Sequence, residues 1–461
     1  MGKEKGKTMQ GQFIDDSLYA IPDAHNNTVI FDVDSNTISY SELPLNQIIN
    51  SKDYTFLHSP KIERHIPEHI DRHIDYVIVG VAETCNLRCT YCYAESGTYG
   101  QKEKKVMCFN ELKEMLFKLL EITPSGIECF SFFGGEPLMG FKAIKEFVEF
   151  ASEYLPEQGL PIPRWGIVTN GTLIDNETIR FFNEHHFSVN VSLDGPKDIN
   201  DRTRIFADPN KSVFDVVEKN LKRIKNKKFI LSCQSTMNRD FFMDYRKNNY
   251  SNFIREMYSL GYDYVAPLIA QCPETAVLDA ELKNKIWDFY EDMVAYDFDL
   301  LLSGEDLNQV SAYTLSIIDR LTKQEYHLGC HAGSESIYYS AQGKFYSCHL
   351  MYELGECEIT KEKLEKEETV KYKDKLESWN CKNCMARNIC FSWCPGVDKL
   401  LGGKHDESSC FAQKVSLEFV LLKLAQITQD QSLFEQFSVN YRKAAQDSAK
   451  AEKGITNEEI Y

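Results

Sequence analysis

No stretch of 18 or more apolar residues occurs anywhere in the 461 residues, so no membrane-spanning helix is expected. The basic start, Met1-Gly-Lys-Glu-Lys-Gly-Lys7, is followed by no apolar segment, which argues against a secretory signal. Gly6 stands where a myristoylation motif needs Ser or Thr. Positive charge is also short: 52 Lys and Arg against 69 Asp and Glu leave a net charge of −17. Phosphate backbones need a basic face, so nucleic acid is not an expected partner. A basic peptide is compatible, although an acidic surface also serves plain solubility. The 11 histidines show no metal-site spacing, and His185-His186 falls where a helix would end. These absences leave a cytoplasmic chain of ordinary composition, long enough for two or three domains. What the chain does not lack is cysteine, with 15 residues. In a reducing compartment, clustered cysteines point to metal rather than disulfides.

The pattern along the chain is α/β. Residues 1–75 form a unit of their own. Thr28–Val33 and Thr37–Tyr40 read as two strands joined by a turn at Asp34-Ser-Asn36, and Pro44–Asn50 reads as a short helix. The plain alternative is a strand pair that merely caps the next domain. From Tyr76 strands and helices alternate. Strands are predicted at Tyr76–Val81, Glu128–Phe133, Trp165–Thr169, Ser188–Leu193, Phe229–Thr236 and Asp263–Ile269. Helices are predicted at Asn110–Ile122, Phe141–Tyr154, Asn176–His186, Val213–Lys225, Tyr245–Gly261 and Ala280–Leu302. Six β/α repeats imply a parallel sheet closing into a partial (β/α)6 barrel over residues 76–310, with its site at the carboxyl ends of the strands. Cysteines return in residues 311–415, which also carry the charge-rich insert Lys361–Glu368, a solvated helix or loop. Residues 416–461 read as a helix, Ser416–Ile427, and a polar tail that frays after about Ala444.

Cys85-Asn-Leu-Arg-Cys89-Thr-Tyr-Cys92 places three cysteines directly after the first barrel strand. A cubane [4Fe–4S] cluster normally takes four thiolates, so three ligands leave one iron open, and an open metal position is what chemistry requires. The bland alternatives are a zinc site, which usually shows two Cys-x2–4-Cys pairs, or unrelated buried thiols. Phe133-Gly-Gly-Glu-Pro-Leu138 ends the second strand; Gly134 and Gly135 let backbone approach a ligand and Glu136 supplies a carboxylate, although an ordinary turn uses the same residues. Thr169-Asn-Gly-Thr172 and Ser192-Leu-Asp-Gly195 follow the third and fourth strands and face the same rim. Farther on come Cys330, Gly343 and Cys348, then Cys381-x2-Cys384-x5-Cys390-x3-Cys394, then Cys410. Cys108, Cys129, Cys233 and Cys272 fit no motif, and Cys129 and Cys233 fall in strand runs as buried thiols.

The triplet resembles the signature of the radical S-adenosylmethionine (SAM) enzymes, in which the open iron chelates SAM and an electron cleaves it to a 5′-deoxyadenosyl radical. The resemblance implies SAM contacts from Gly134, Gly135, Glu136, Asn170, Ser192, Asp194 and Arg204, with Tyr91 against the adenine. For Arg204 the plain reading is a surface arginine in a loop, and for Tyr91 it is core packing. The C-terminal cysteines resemble a SPASM domain, which carries two auxiliary [4Fe–4S] clusters, three clusters in all. The family's ligand sharing would give Cys381, Cys384, Cys390 and Cys410 to one, and Cys330, Cys348 and Cys394 to the other. Ser336 stands where some relatives have a further cysteine, so the second set has an open iron or a ligand such as Cys357. SPASM enzymes mostly modify peptides. Sulfatase-maturating members have an aspartate after the Gly-x4-Cys cysteine, where this chain has His349. A cysteine-histidine pair is familiar from thioether-forming maturases of ribosomal peptides of the sactipeptide and ranthipeptide type. The N-terminal unit resembles a shortened form of their leader-binding element. The expectation is therefore a peptide maturase forming cysteine thioether crosslinks on a precursor peptide, fed by flavodoxin or ferredoxin. Formylglycine formation or a carbon–carbon crosslink is the alternative within enzymes; an iron–sulfur electron carrier or a zinc-bound scaffold is the alternative outside them.

Overall fold

The computed structural model describes residues 7, 9–51, 53–63, 69–71, 73–101, 104–323, 330, 332–354, 358–366, 369–371, 376 and 381–452. The N-terminal unit has four antiparallel strands in the order β1-β2-β3-β4: β1 (Gln12–Phe13), β2 (Leu18–Pro22), β3 (Thr28–Asp32) and β4 (Thr37–Ser41). This extends the expected hairpin by two strands. The Leu18-Tyr-Ala-Ile-Pro22 run shows no alternation because both its faces are buried. Leu18, Ala20 and Ile30 pack with Ile48 of helix α1 (Leu45–Ser51), while Tyr19, Ile21, Val29 and Phe31 join the main core. A separate two-stranded ladder pairs β5 (His69–Asp71) with a late segment, Thr369–Lys371.

Six parallel strands then follow one another in the sheet in chain order: β6 (Tyr76–Ala82), β7 (Cys129–Gly134), β8 (Arg164–Thr169), β9 (Ser188–Ser192), β10 (Ile230–Met237) and β11 (Tyr264–Ile269). All six lie within two residues of the predicted positions. Each alternates. Val77, Val79, Phe130, Phe132, Trp165, Ile167, Val189 and Val191 are buried, with Trp165 stacked on Phe130 at 5.7 Å. Ser131, Gly166, Asn190 and Ser232 between them line a cavity along the sheet. Helices α2 (Phe109–Ile122), α3 (Phe141–Glu157), α4 (Asn176–Glu184), α5 (Lys197–Thr203) and α6 (Val213–Leu221) intervene. Local chemistry sets several starts. Asp175 caps α4 by accepting from the Glu177 and Thr178 amides at 2.9 Å. Cys108, without a motif in the sequence, is the N-cap of α2, its amide bonded to Glu111 at 2.9 Å. His185 caps the end of α4, as its position suggested.

Of the helix expected over Tyr245–Gly261 the structure keeps α8 (Tyr250–Ser259); a separate helix, α7 (Arg239–Asp244), precedes the expected start, and Asn248 takes a left-handed φ of 65° between them. After the short α9 (Pro273–Ala276) comes α10 (Ala280–Ser303), begun by Asp279 accepting from the Leu282 amide and ended at Gly304 with φ of 77°. Helix α11 (Ala312–Lys323) follows. The sheet does not stop at six strands. β12 (Ser336–Tyr339) pairs parallel with β6, and β13 (Phe345–Tyr346) and β14 (Glu358–Ile359) continue it antiparallel to nine. Helices α12 (His349–Glu353), α13 (Lys361–Lys366) and α14 (Pro395–Leu400) are short, and α13 falls in the charge-rich insert, read as a helix or loop.

Two long helices close the chain, α15 (Glu407–Ile427) and α16 (Gln431–Glu452). The second continues as helix past Ala444, where fraying was expected, to Glu452; the rest of that tail lies outside the described residues. Phe437 stacks on Phe298 of α10 at 5.5 Å, Asn440 donates to the Leu301 carbonyl at 2.8 Å, and Ala444 is buried. A polar helix is thus held by one packed stripe that composition alone does not reveal. Among the described residues, no helix is long and apolar enough to cross a membrane.

Candidate active site

The loop after β6 carries the cysteine triplet. It is pinned to the chain after α5: the Arg88 amide donates to the Ile205 carbonyl at 2.7 Å and the Thr90 amide to the Thr203 carbonyl at 2.9 Å. The glycines after β7 allow a close backbone approach. A Cβ on Gly135 would lie 2.2 Å from the Thr84 oxygen, and Gly134 has a φ of 131°. In return, the Gly135 and Glu136 amides donate to Ala82 and Thr84 at 2.7 and 2.9 Å. The two motifs therefore form one surface.

Cys85, Cys89 and Cys92 line a single cavity of about 430 Å³ together with Tyr91, Gly134, Gly135, Asn170, Ser192 and Arg204. Six of the eight residues expected to contact SAM are thus gathered beside the triplet. Glu136 and Asp194 are not in the cavity wall, and each is 0% exposed. Glu136 accepts from the Leu138 amide (3.0 Å), the Thr169 hydroxyl (2.7 Å) and the Asn170 amide (2.8 Å). Burial pushes its pKa to about 6 against those three donors. Asp194 accepts from Arg204 Nε (2.8 Å), the Tyr91 hydroxyl (2.5 Å), the Thr236 amide (3.1 Å) and the Thr203 hydroxyl (3.3 Å). These bonds tie both carboxylates to residues of the cavity wall: Asp194 accepts from four donors and Glu136 from three, of the about four lone pairs a carboxylate offers. Arg204 is a buried ion-pair partner with its guanidinium 5.6 Å from the Tyr91 ring, not a surface residue. Asn170 reaches Asn86 at 2.8 Å and the Cys85 sulfur at 3.7 Å.

The thiols are heavily desolvated. Burial raises Cys85 to about 11 and Cys89 to about 12, so both carry protons until a metal displaces them. Their soft sulfur donors, set round a hollow beside a glycine cradle, suit an iron–sulfur cluster.

The same cavity extends away from the triplet to Cys394, between Tyr290, Tyr313, Phe391, Leu350 and Leu400. No motif in the sequence marks this wall, nor Gln234 and Thr236, which also line it. The last two stand in the carboxyl-terminal half of β10, where strand position was the available signal; the rest come from helices and a loop that pattern alone does not orient. Cys330 and Cys348 are the electrostatic neighbours of Cys394, which burial raises to about 11. A second cavity, of about 320 Å³, is lined by Cys381, Cys384, Cys390, Cys394 and Cys410. Burial lifts Cys384 to about 12. Burial pushes Cys410 upward too, but a hydrogen bond from His405 and the nearby Lys414 outweigh it and leave this thiol below its ordinary value. Hydrogen bonding to Asp398, then to Cys410, raises His405 to about 9. Among the described residues, no three Cys, His, Asp or Glu side chains converge as on a single ion. One zinc ion holds its sulfurs about 2.3 Å from a point, whereas a cubane holds each on a separate iron. The donor chemistry of this hollow fits a cluster. Cys357 lies outside the described residues. His349 is not in either cavity wall. Its ring packs on Phe133 at 5.1 Å and Tyr93 at 5.8 Å, and burial lowers it to about 4.

Fold and site together define a class: residues 79–240 match the Radical SAM superfamily, and the chain contains a radical SAM domain. Among individual proteins, it is similar to a cysteine-type anaerobic sulfatase-maturating enzyme of Clostridium novyi, 30% identical over 170 residues, 36% of this chain and 44% of that one. A radical SAM cyclopropyl synthase, TigE, of Paramaledivibacter caminithermalis is 24% identical over 377 residues, 76% of each chain. The chain's matches to the first sulfatase-maturating relatives span less than half of their length. The solved structure of anSMEcpe with bound AdoMet shares the fold, with a TM-score of 0.61 at 19% identity over 79% of this chain and 98% of that one.

Proposed function

We propose that the chain is a radical SAM maturase that installs thioether crosslinks from cysteine sulfur to carbon in a ribosomally made peptide. The observation that carries this reading is the single cavity running from Cys85, Cys89 and Cys92 to Cys394. A substrate residue seated in it would touch both thiol sets. When bound, SAM and the cluster on the triplet would supply a 5′-deoxyadenosyl radical able to take hydrogen from carbon. The chain's own residues bind and orient. Gly134 and Gly135 give the backbone approach, Asn170 and Ser192 offer polar groups, and Arg204 offers the guanidinium nitrogens that Asp194 leaves unused. Tyr91, fixed by its bond to Asp194, offers a stacking face. Beyond them, among the described residues, the wall bears no charged side chain. Tyr290 and Tyr313 lie 5.3 Å apart and Tyr313 and Phe391 4.9 Å, a dry aromatic corner that selects an uncharged acceptor residue and excludes water from a reactive intermediate.

In this reading Cys381, Cys384, Cys390 and Cys410 hold one auxiliary cluster and Cys330, Cys348 and Cys394 another with a free position for the peptide thiolate. Flavodoxin or ferredoxin supplies electrons in the cytoplasm, and residues 1–75, 76–310, 311–415 and 416–461 are the working units. Anaerobic reconstitution with reductant and SAM tests it: 5′-deoxyadenosine must appear, and a co-expressed cysteine-containing precursor must lose two hydrogens per crosslink by mass spectrometry. Iron uptake without SAM cleavage would instead mean an electron carrier. Sulfatase maturation is the second reading, favoured by the similarity to the Clostridium novyi enzyme. Against it, the position of that branch's aspartate holds His349, sealed from the cavity among aromatic rings.

A further inference from the structure

The second cavity is closed on one side by a segment almost four hundred residues away in sequence. Met9, Phe13 and Tyr19 line it beside Cys381, Cys384 and Cys410. What holds them there is one buried carboxylate. Glu418 Oε1 accepts from the Gln10 amide at 2.8 Å, and Oε2 lies 3.5 Å from the Gly11 amide and 3.2 Å from the Tyr19 hydroxyl. The Tyr19 hydroxyl is also 2.8 Å from the Gly11 carbonyl. Glu418 is 1% exposed, and among the described residues its donors are Gln10, Gly11 and Tyr19.

The placement is specific. Cys410, Lys414 and Glu418 are spaced by four along α15 and share one helix face. The face that presents a thiol to the cavity therefore also anchors its cover. Gly11 is packed so closely that a Cβ there would meet the Tyr19 ring at 2.4 Å and Ile21 at 2.8 Å. Phe13 lies edge-on to Tyr19 at 5.2 Å. The turn between β3 and β4 is fixed separately, by Arg387 to Asp34 at 2.5 Å.

We infer that Met9–Phe13, with Tyr19, is a seal over the thiol set Cys381, Cys384, Cys390 and Cys410, clamped shut by Glu418, and that it controls access of water and small solutes to the group held there. The inference rests on the reading of that set as a cluster site. The N-terminal sheet then has a duty to the C-terminal cysteines, whether or not it also receives a peptide.

The test follows iron, not turnover. The anaerobically reconstituted full-length protein is mixed with a sulfonated phenanthroline iron(II) chelator, and iron release is recorded by absorbance. In Glu418→Ala and Gly11→Val about four of the irons should leave roughly tenfold faster than in the unaltered protein. Tyr19→Phe, which keeps the ring and cannot unfold the sheet by a clash, should give a smaller acceleration of the same fraction. The remaining irons, and SAM cleavage without peptide, should not change. Release at the unaltered rate in all three variants overturns the seal. An unaltered protein that cleaves SAM yet never takes iron beyond the triplet overturns the cluster reading, and the seal falls with it.

Discussion

The triplet loop and the C-terminal thiols are built to opposite plans. Cys85, Cys89 and Cys92 share one loop whose shape is set by backbone bonds to neighbours in the sheet, and a glycine pair lets that loop touch the next strand end. The thiols of the second cavity come from separate elements: Cys381 begins a short helical turn, Cys394 caps α14, and Cys410 lies in the first turns of α15. Their surroundings differ as well. Around the triplet, burial dominates and raises Cys85 and Cys89. Around Cys410, an imidazole and an ammonium overcome burial and lower the thiol. The first site is a local motif placed at a strand end, and the second is a tertiary assembly that must be completed from four hundred residues away.

Removing one site and reading the other gives the sharpest separation. Replacing Cys85, Cys89 and Cys92 together with Ala should abolish 5′-deoxyadenosine formation to background while iron content falls by about four and the rest is retained. If SAM cleavage survives, the triplet is not the reaction centre. Cys394→Ala should do the converse: SAM cleavage without peptide continues, and the crosslinked product disappears from the mass spectrum. Loss of both together would show that the two sites are not separable.

A step smaller is the buried pair behind the cavity wall. Asp194→Ala leaves Arg204 without its partner in a site where the two side chains are 0% and 9% exposed. Denaturant unfolding should show a loss of about 3–5 kcal/mol, and equilibrium dialysis a weaker hold on SAM. A variant with unaltered stability would mean that water already serves Arg204.

The smallest effect is one of pH. Glu136 has its pKa raised from 4.5 to about 6 by burial. A carboxyl raised on folding stabilises fully below about 4.5, and its contribution is lost as pH rises through about 6. Stability should therefore fall by about 2 kcal/mol across that window, and Glu136→Gln should flatten the fall. An unchanged profile in the variant would mean that another buried carboxyl, such as Asp297, dominates; it too is raised by burial to about 6.

Much of the triplet half was legible before any coordinates. The spacing of Cys85, Cys89 and Cys92, the Gly134-Gly135 pair and the strand-end positions of Asn170 and Ser192 are all short-range features, and they do line one cavity. Glu136 and Asp194 were legible as residues of this rim but their internal partners were not, because a sequence does not tell which way a carboxylate points or how many donors reach it. In the C-terminal half the cysteines were legible and their surroundings were not. Tyr290, Tyr313 and Phe391 reach the cavity from two helices and a loop. The helix α16 was hidden by polar composition, and β2 by the absence of alternation.

The sequence by itself determined the repeated strand-helix order, the motif at the first strand end and the supply of soft sulfur donors, because each depends on residues within a turn or two of one another. Tertiary structure alone decided which carboxylates are spent on internal bonds, that one cavity joins Cys92 to Cys394, and that Glu418 draws Gln10, Gly11 and Tyr19 over the second thiol set. Those outcomes turn on the direction of single side chains across elements hundreds of residues apart. The desolvation of a buried charge makes that direction decisive, since a buried carboxylate must find its donors wherever in the chain they lie.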